Sequence, residues 1–218
     1  MGNNMETIWK AKSEDVIKEM LRLKEEYGIK DFRAIELYGG DGHTLSNKMA
    51  EQSISFIGYD INPAKEEGFR KNVLNGEFRC GDSVKMMETM KEGEIGTYNL
   101  ISTDAPICIY GDNYCEHFEI LNNIYKLLEQ GEKTLCVFPV VPKPYDTDKE
   151  ENSAWMKRRA VFYRTEQVNL DLDKIYEIYD AIFRNQKLQI LERSFVCREY
   201  RNGVDWMYEY MYVLEKEE

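Results

Sequence analysis

Apolar positions along this chain follow two rhythms in turn, three-and-four spacing and every-other spacing, which predicts alternating helices and strands. Val16, Ile17, Met20, Leu21 and Tyr27 keep helical spacing, Ser13 can cap that stretch and Gly28 stops it, so a cover helix is expected over about 13–27. The β-prone run Arg33–Tyr38 then breaks into Gly39-Gly-Asp-Gly42, followed by a helix-compatible stretch from His43 to about Glu51. The unit recurs: strand Ile54–Tyr59, helix Pro63–Leu74, strand Glu77–Cys80, helix Ser83–Met90, strand Tyr98–Thr103, helix Asn113–Glu129, strand Thr134–Val140. Pro63 suits a first helical turn and Gly131 a helix end. Such alternation predicts crossover units, hence an α/β fold with a mostly parallel sheet covered on both faces.

The carboxyl end departs from this rhythm. After a helix around Leu170–Arg184 come two β-rich runs, Leu188–Tyr200 and Asp205–Leu214, joined through Arg201-Asn202-Gly203-Val204. Asn-Gly between such runs predicts an antiparallel hairpin. Trp206, Tyr208, Tyr210 and Tyr212 alternate with Met207, Glu209, Met211 and Val213, so the last strand has two distinct faces. No internal repeat or low-complexity block is present. The segment of about 141–167 is longer than an ordinary α/β connection and reads as a lid or substrate insertion. Within it Lys157, Arg158, Arg159 and Arg164 stand among aromatic residues, with no acid from Trp155 to Arg164. This is either a nucleic-acid contact or a solvated helix face.

Charge narrows the choice of partner. The 218 residues, 43% hydrophobic and 32% charged, suit one domain over 1–218, and Lys+Arg 29 against Asp+Glu 40 leaves a net charge of −11. A surface that grips nucleic acid or anionic membrane by overall charge is thereby excluded, and any such contact must be local. No apolar run approaches the length of a membrane span, and Met1–Lys12 lacks the apolar core of a signal peptide, so a soluble cytoplasmic protein is expected. Cys80, Cys108, Cys115, Cys136 and Cys197 are odd in number and never spaced C-x-x-C. With only His43 and His117 beside them, no metal site is expected, and the cysteines read as reduced thiols, mostly buried.

The glycine loop is the first candidate site, because glycines let backbone approach a ligand and the following helix offers unpaired N–H groups. The third glycine of a dinucleotide loop is missing from Gly40-Asp-Gly42-His-Thr-Leu45, which argues against NAD, and Gly-Lys never occurs, which excludes a P-loop. What remains is Glu36-Leu-Tyr38-Gly39-Gly40-Asp-Gly42 after the first strand and Gly58-Tyr-Asp60-Ile61 after the second. Cys80-Gly81-Asp82-Ser83 ends the third strand and Ser102-Thr-Asp104-Ala-Pro106 the fourth. Asp60 stands where an acid can accept from both ribose hydroxyls, and the four clusters converge on the carboxyl edge of one sheet, where α/β folds bind ligands.

Over roughly Ala34–Leu214 this ordered set resembles the class I S-adenosylmethionine-dependent methyltransferases. The resemblance implies a Rossmann-like, mostly parallel seven-stranded sheet with helices on both faces and a C-terminal antiparallel hairpin. It implies S-adenosylmethionine (SAM) as methyl donor, held by Glu36, Tyr38, Gly39, Gly40 and Gly42 in the loop, by Asp60 and Ile61 at the ribose, and by Gly81, Asp82 and Ser83 at the adenine. It places Asp104 and Pro106 beside the methyl acceptor. Tyr38 stands where many members carry a glycine, and Asp104-Ala-Pro106-Ile107 matches only half of the Asp-Pro-Pro-aromatic motif of nucleic-acid amine methylases. A nucleophilic cysteine would follow Pro106 directly in the pyrimidine C5 enzymes, and Ile107 is there instead. In-line methyl transfer mainly requires alignment, with Asp104 accepting from the acceptor or, alternatively, capping the next turn. His43 reads as a ligand contact or a helix cap, and His117 as a packed residue. A nucleic-acid base is favoured slightly as acceptor; the alternatives are a small molecule or protein, or a nucleotide-binding module without turnover.

Overall fold

Each apolar rhythm condenses onto one face of a single seven-stranded sheet. The computed structural model describes residues 12–43, 45–91, 96–104, 109–110, 114–144, 153–201 and 204–217. Its strands are β1 (Phe32–Leu37), β2 (Ser53–Asp60), β3 (Gly76–Cys80), β4 (Leu100–Thr103), a short ribbon β5 (Ile109–Tyr110) and β6 (Tyr114–Cys115), β7 (Thr134–Val140), β8 (Leu188–Arg201) and β9 (Val204–Lys216). The helices are α1 (Ser13–Tyr27), α2 (Leu45–Glu51), α3 (Glu66–Asn72), α4 (Ser83–Thr89), α5 (Glu116–Leu121), α6 (Ser153–Tyr163) and α7 (Leu172–Asn185). The sheet runs β3-β2-β1-β4-β7-β9-β8. Every pair from β3 to β7 is parallel, whereas β9 lies antiparallel to both β7 and β8. Chain order reverses between β1 and β4, and that reversal opens a crevice at the carboxyl edge.

Two apolar cores sandwich the sheet. One joins α1, α2 and α3 through Val16, Met20, Leu23, Met49 and Phe69; the other joins α4 to α7 through Met87, Leu121, Trp155, Tyr179 and Phe183. Strand β9 serves both, with Met211 and Val213 in the first core and Tyr210 and Tyr212 in the second. Burial on both faces is what a strand flanked by two neighbours and two helical layers must accept.

Three expectations are corrected. Ser13 is the first helical residue and Lys12 takes the cap position without a side-chain bond, while Leu21 faces outward and Leu23 inward. The helix expected over Asn113–Glu129 is α5 and a separate 3₁₀ turn at Ile124–Lys126. At the break, the Gln186 side chain donates to Leu121 O at 2.7 Å and accepts from Tyr125 N at 3.3 Å, satisfying backbone groups the interruption frees. Pro63–Leu74 likewise divides into a 3₁₀ turn, Pro63–Lys65, capped by Asn62, and α3. Asn202-Gly203 lies outside the described residues; Arg201 pairs with Val204 across it.

Candidate functional site

Glu36 is the carboxylate at the heart of the crevice. It sits within β1 with no exposed surface, Ser102 Oγ lies 3.5 Å from its Oε1, and Oε2 has no hydrogen-bond partner among the described residues. Burial pushes its carboxyl up to about 8, with the nearby negative charge of Asp104 adding to the effect. A Cβ at Gly39 would stand 2.8 Å from Glu36 Oε2, so the loop passes close over this side chain.

The loop itself is tied to the neighbouring strand. Tyr38 N and Gly39 N donate to Tyr59 O at 2.8 and 3.3 Å, and Gly40 N donates to Asp60 Oδ2 at 3.1 Å. Asp60 Oδ1 accepts from Asn62 N at 2.8 Å. One carboxylate therefore fixes the tip of the β1 loop and the turn after β2, with further acceptor capacity on both oxygens. Tyr38 adopts φ +63° and is buried, so the bulky residue at the loop's first position turns into the core. Gly42, at φ +71°, leaves no room for a side chain: a Cβ would meet Val73 Cγ2 at 2.5 Å.

The third cluster lies beside the second. Gly81 N donates to Asp60 O at 2.9 Å, and Cys80 Sγ, at the end of β3, lies 3.6 Å from Ile61 O. Asp82 caps α4 by accepting from Lys85 N at 3.1 Å, and the Ser83 side chain is buried. His43 is exposed, with its ring against Asn72 and Asp41.

At the fourth strand, Asp104 Oδ1 accepts from Arg198 Nη2 at 2.7 Å, and the turn it would cap lies outside the described residues. Arg198, in β8, also donates through Nη1 to Glu209 Oε1 of β9 at 2.8 Å. Arg198 and Glu209 are buried, and Arg198 Nε and Glu209 Oε2 lack partners among the described residues. Burial works against the guanidinium charge, but Asp104 and Glu209 outweigh it and hold Arg198 protonated. Burial pushes Glu209 up to about 7 against the pull of Arg198. The edge thus gathers three carboxylates, Glu36, Asp104 and Glu209, around one guanidinium. Sequence reading missed Arg198 and Glu209; an acid in the middle of the aromatic run of β9, and a basic residue near it when strands are counted back from Asn202-Gly203, were the available signals. Pro106, Cys108 and the side chains of Cys115 and His117 lie outside the described residues.

Of the four basic residues of the patch, two face solvent freely, one is paired and one is buried. Arg159 is buried, its guanidinium 3.3 and 3.0 Å from Val141 O and Pro142 O and 3.4 Å from Gln167 O, and it packs over the rings of Trp155 and Tyr163. Arg158 pairs with Glu119, leaving Lys157 and Arg164 exposed. A charged residue among aromatic ones looks the same from sequence whether its helix lies on the surface or is stapled to the fold, so the burial of Arg159 is visible only in the structure.

No protein-family pattern matches this sequence, and no curated protein matches it. Solved structures do. The plantazolicin methyltransferase BamL, crystallised with a triazolic desmethyl analog and SAH, superposes with a TM-score of 0.58 at 9% identity over 94% of this chain and 85% of that one. The N-methyltransferase NodS from Bradyrhizobium japonicum WM9 gives 0.55 at 14% identity over 93% and 96%. Magnesium protoporphyrin IX methyltransferase ChlM from Synechocystis PCC 6803, with bound SAH, gives 0.55 at 12% over 92% and 82%. The chain therefore has the Rossmann-like fold that these methyltransferases share.

Proposed function

We propose that this chain is a SAM-dependent methyltransferase acting on a small molecule. The observation that carries the donor assignment is the junction of the glycine loop with Asp60 across β1 and β2, placed at the point where chain order reverses. The residues present fit that donor. Gly40, at φ +52°, has open space where a side chain would stand, and Oε2 of the buried Glu36 beneath the loop has no hydrogen-bond partner among the described residues. Glu36, Tyr38, Gly39, Gly40 and Gly42 would hold the methionine part. Asp60 and Ile61 would hold the ribose, and Gly81, Asp82 and Ser83 the adenine. SAM supplies a methyl group already activated on a sulfonium.

What the chain adds is alignment and exclusion of water. Only Oδ1 of Asp104 is engaged among the described residues, so Oδ2 can accept from an acceptor N–H or O–H and orient its lone pair. Pro106 would shape the same wall. In this reading residues 1–218 work as one domain, α1 covers the sheet, and the 141–167 segment, stapled by Arg159, closes the acceptor side. A small acceptor is favoured over a nucleic-acid base because base-flipping enzymes need a cationic surface beside the pocket. Here Arg159 is buried, Arg158 is paired, and the net charge is −11. Incubation with DNA and RNA at low salt should give no gel shift and no methyl incorporation. A shift abolished by Lys157→Glu with Arg164→Glu would restore the nucleic-acid reading.

A further inference from the structure

We infer that binding of the donor is coupled to release of a proton by Glu36: the empty site holds a carboxylic acid beneath the glycine loop, and the filled site a carboxylate. This rests on the methyltransferase reading and adds a control by pH to the same site. The first observation is that the loop does not need a charge on Glu36. A strand acid in this place could order the loop by accepting from its backbone N–H groups, but those groups are engaged elsewhere. Tyr38 N and Gly39 N donate to Tyr59 O, Gly40 N to Asp60 Oδ2, and Gly42 N to Gly39 O at 2.9 Å.

The second observation is the surroundings of the carboxyl, which has no exposed surface. Burial weighs most against its ionised form, and Asp104, just past β4, adds negative charge. Ser46 of α2 and Arg198 of β8 favour the ionised form, and Glu209 of β9 opposes it. Arg198 is in contact with Asp104 and Glu209, at 2.7 and 2.8 Å, rather than with Glu36, so its charge acts from a distance. The balance pushes the Glu36 carboxyl up to about 8, which leaves it protonated at neutral pH. The donor brings an α-ammonium on its methionine part. Because the loop runs so close to Glu36 Oε2 that a Cβ at Gly39 would stand 2.8 Å away, a cation held at the loop acts on Glu36 at short range. An opposite charge nearby moves a carboxyl down by roughly one to three pH units. Glu36 then ionises near neutrality, its O–H bond breaking and the proton passing to solvent.

The test is calorimetric titration of the full chain with S-adenosylhomocysteine (SAH) at neutral pH, in buffers of different ionisation enthalpy, which counts the protons exchanged per ligand bound. The parent should release roughly half to one proton, and its affinity should rise on the order of five- to fiftyfold between about pH 6 and pH 8. Glu36→Gln should lose that release and most of the pH dependence. Glu209→Gln, which removes the other raised carboxyl of the cluster, should keep both. SAH binding without proton release in the parent, release undiminished in Glu36→Gln, or release lost in Glu209→Gln would overturn the coupling while leaving the methyltransferase reading standing. If Glu36→Gln does not bind SAH, the parent's proton count and its persistence in Glu209→Gln decide. Failure of the parent to bind SAH would overturn the methyltransferase reading instead.

Discussion

Replacing Glu36 by Gln should stabilise the ligand-free protein at alkaline pH and leave it nearly unchanged in acid. In the fold the Glu36 carboxyl is pushed up to about 8 from an ordinary value near 4.5, because the side chain is wholly buried beside Asp104. A raised carboxyl favours the folded state only while protonated. Stability is full below pH 4.5, falls as pH climbs because the unfolded chain ionises first, and levels off above about 8. The slope from one such group is roughly 1–2 kcal/mol per pH unit, and the whole interval is worth on the order of 3–5 kcal/mol. Glutamine keeps the shape and has nothing to ionise. For a chain of this length each kcal/mol moves Tm by about 2–4 °C, so the variant should melt on the order of 10 °C above the parent at pH 9 and within a few degrees at pH 4. Glu209, also raised by burial, adds its own loss of stability on the alkaline side in both proteins. Scanning calorimetry of the two proteins from pH 4 to 9 reads the difference. Curves that stay parallel at all pH values would refute the claim that a carboxyl raised by burial underlies the loop.

Two further outcomes are expected. Arg159→Ala removes the guanidinium from the carbonyls of Val141, Pro142 and Gln167 and leaves a void beside Trp155, costing about 3–5 kcal/mol; hydrogen exchange should show α6 opening first, and a urea midpoint shift worth under 1 kcal/mol would contradict the staple. Arg198→Met strands the charges of Glu209 and Asp104 and should cost about 3–5 kcal/mol, with Glu209→Gln added on top recovering part of it; a double variant no better than the single one would argue against the ion pair.

The loop and strand-end clusters proposed to hold the donor were legible as local structure because their residues are contiguous with the elements that position them. Glu36 to Gly42 reads as strand and turn, and Asp60 and Asp82 fall at strand ends, where alternation of period two stops. The parallel-to-antiparallel change was legible from Asn202-Gly203 and the aromatic alternation of β9. What escaped depends on contacts between distant segments. The pairing of Arg198 with Asp104 and Glu209 joins three strands, and register shifts between Cys197 and Tyr200 displace it from a simple count. The break after α5 is stabilised by Gln186, some sixty residues later. Arg159 carries the same charge buried or exposed, and only the carbonyls it meets distinguish the two.

The most direct measurement is calorimetric titration of the protein and of Asp60→Ala with SAM and SAH. The account predicts one site per chain for each ligand in the parent, and at least tenfold weaker binding in the variant, since Asp60 both orders the loop at Gly40 and accepts the ribose hydroxyls. Absence of binding in the parent, or equal affinity in the two proteins, would contradict it.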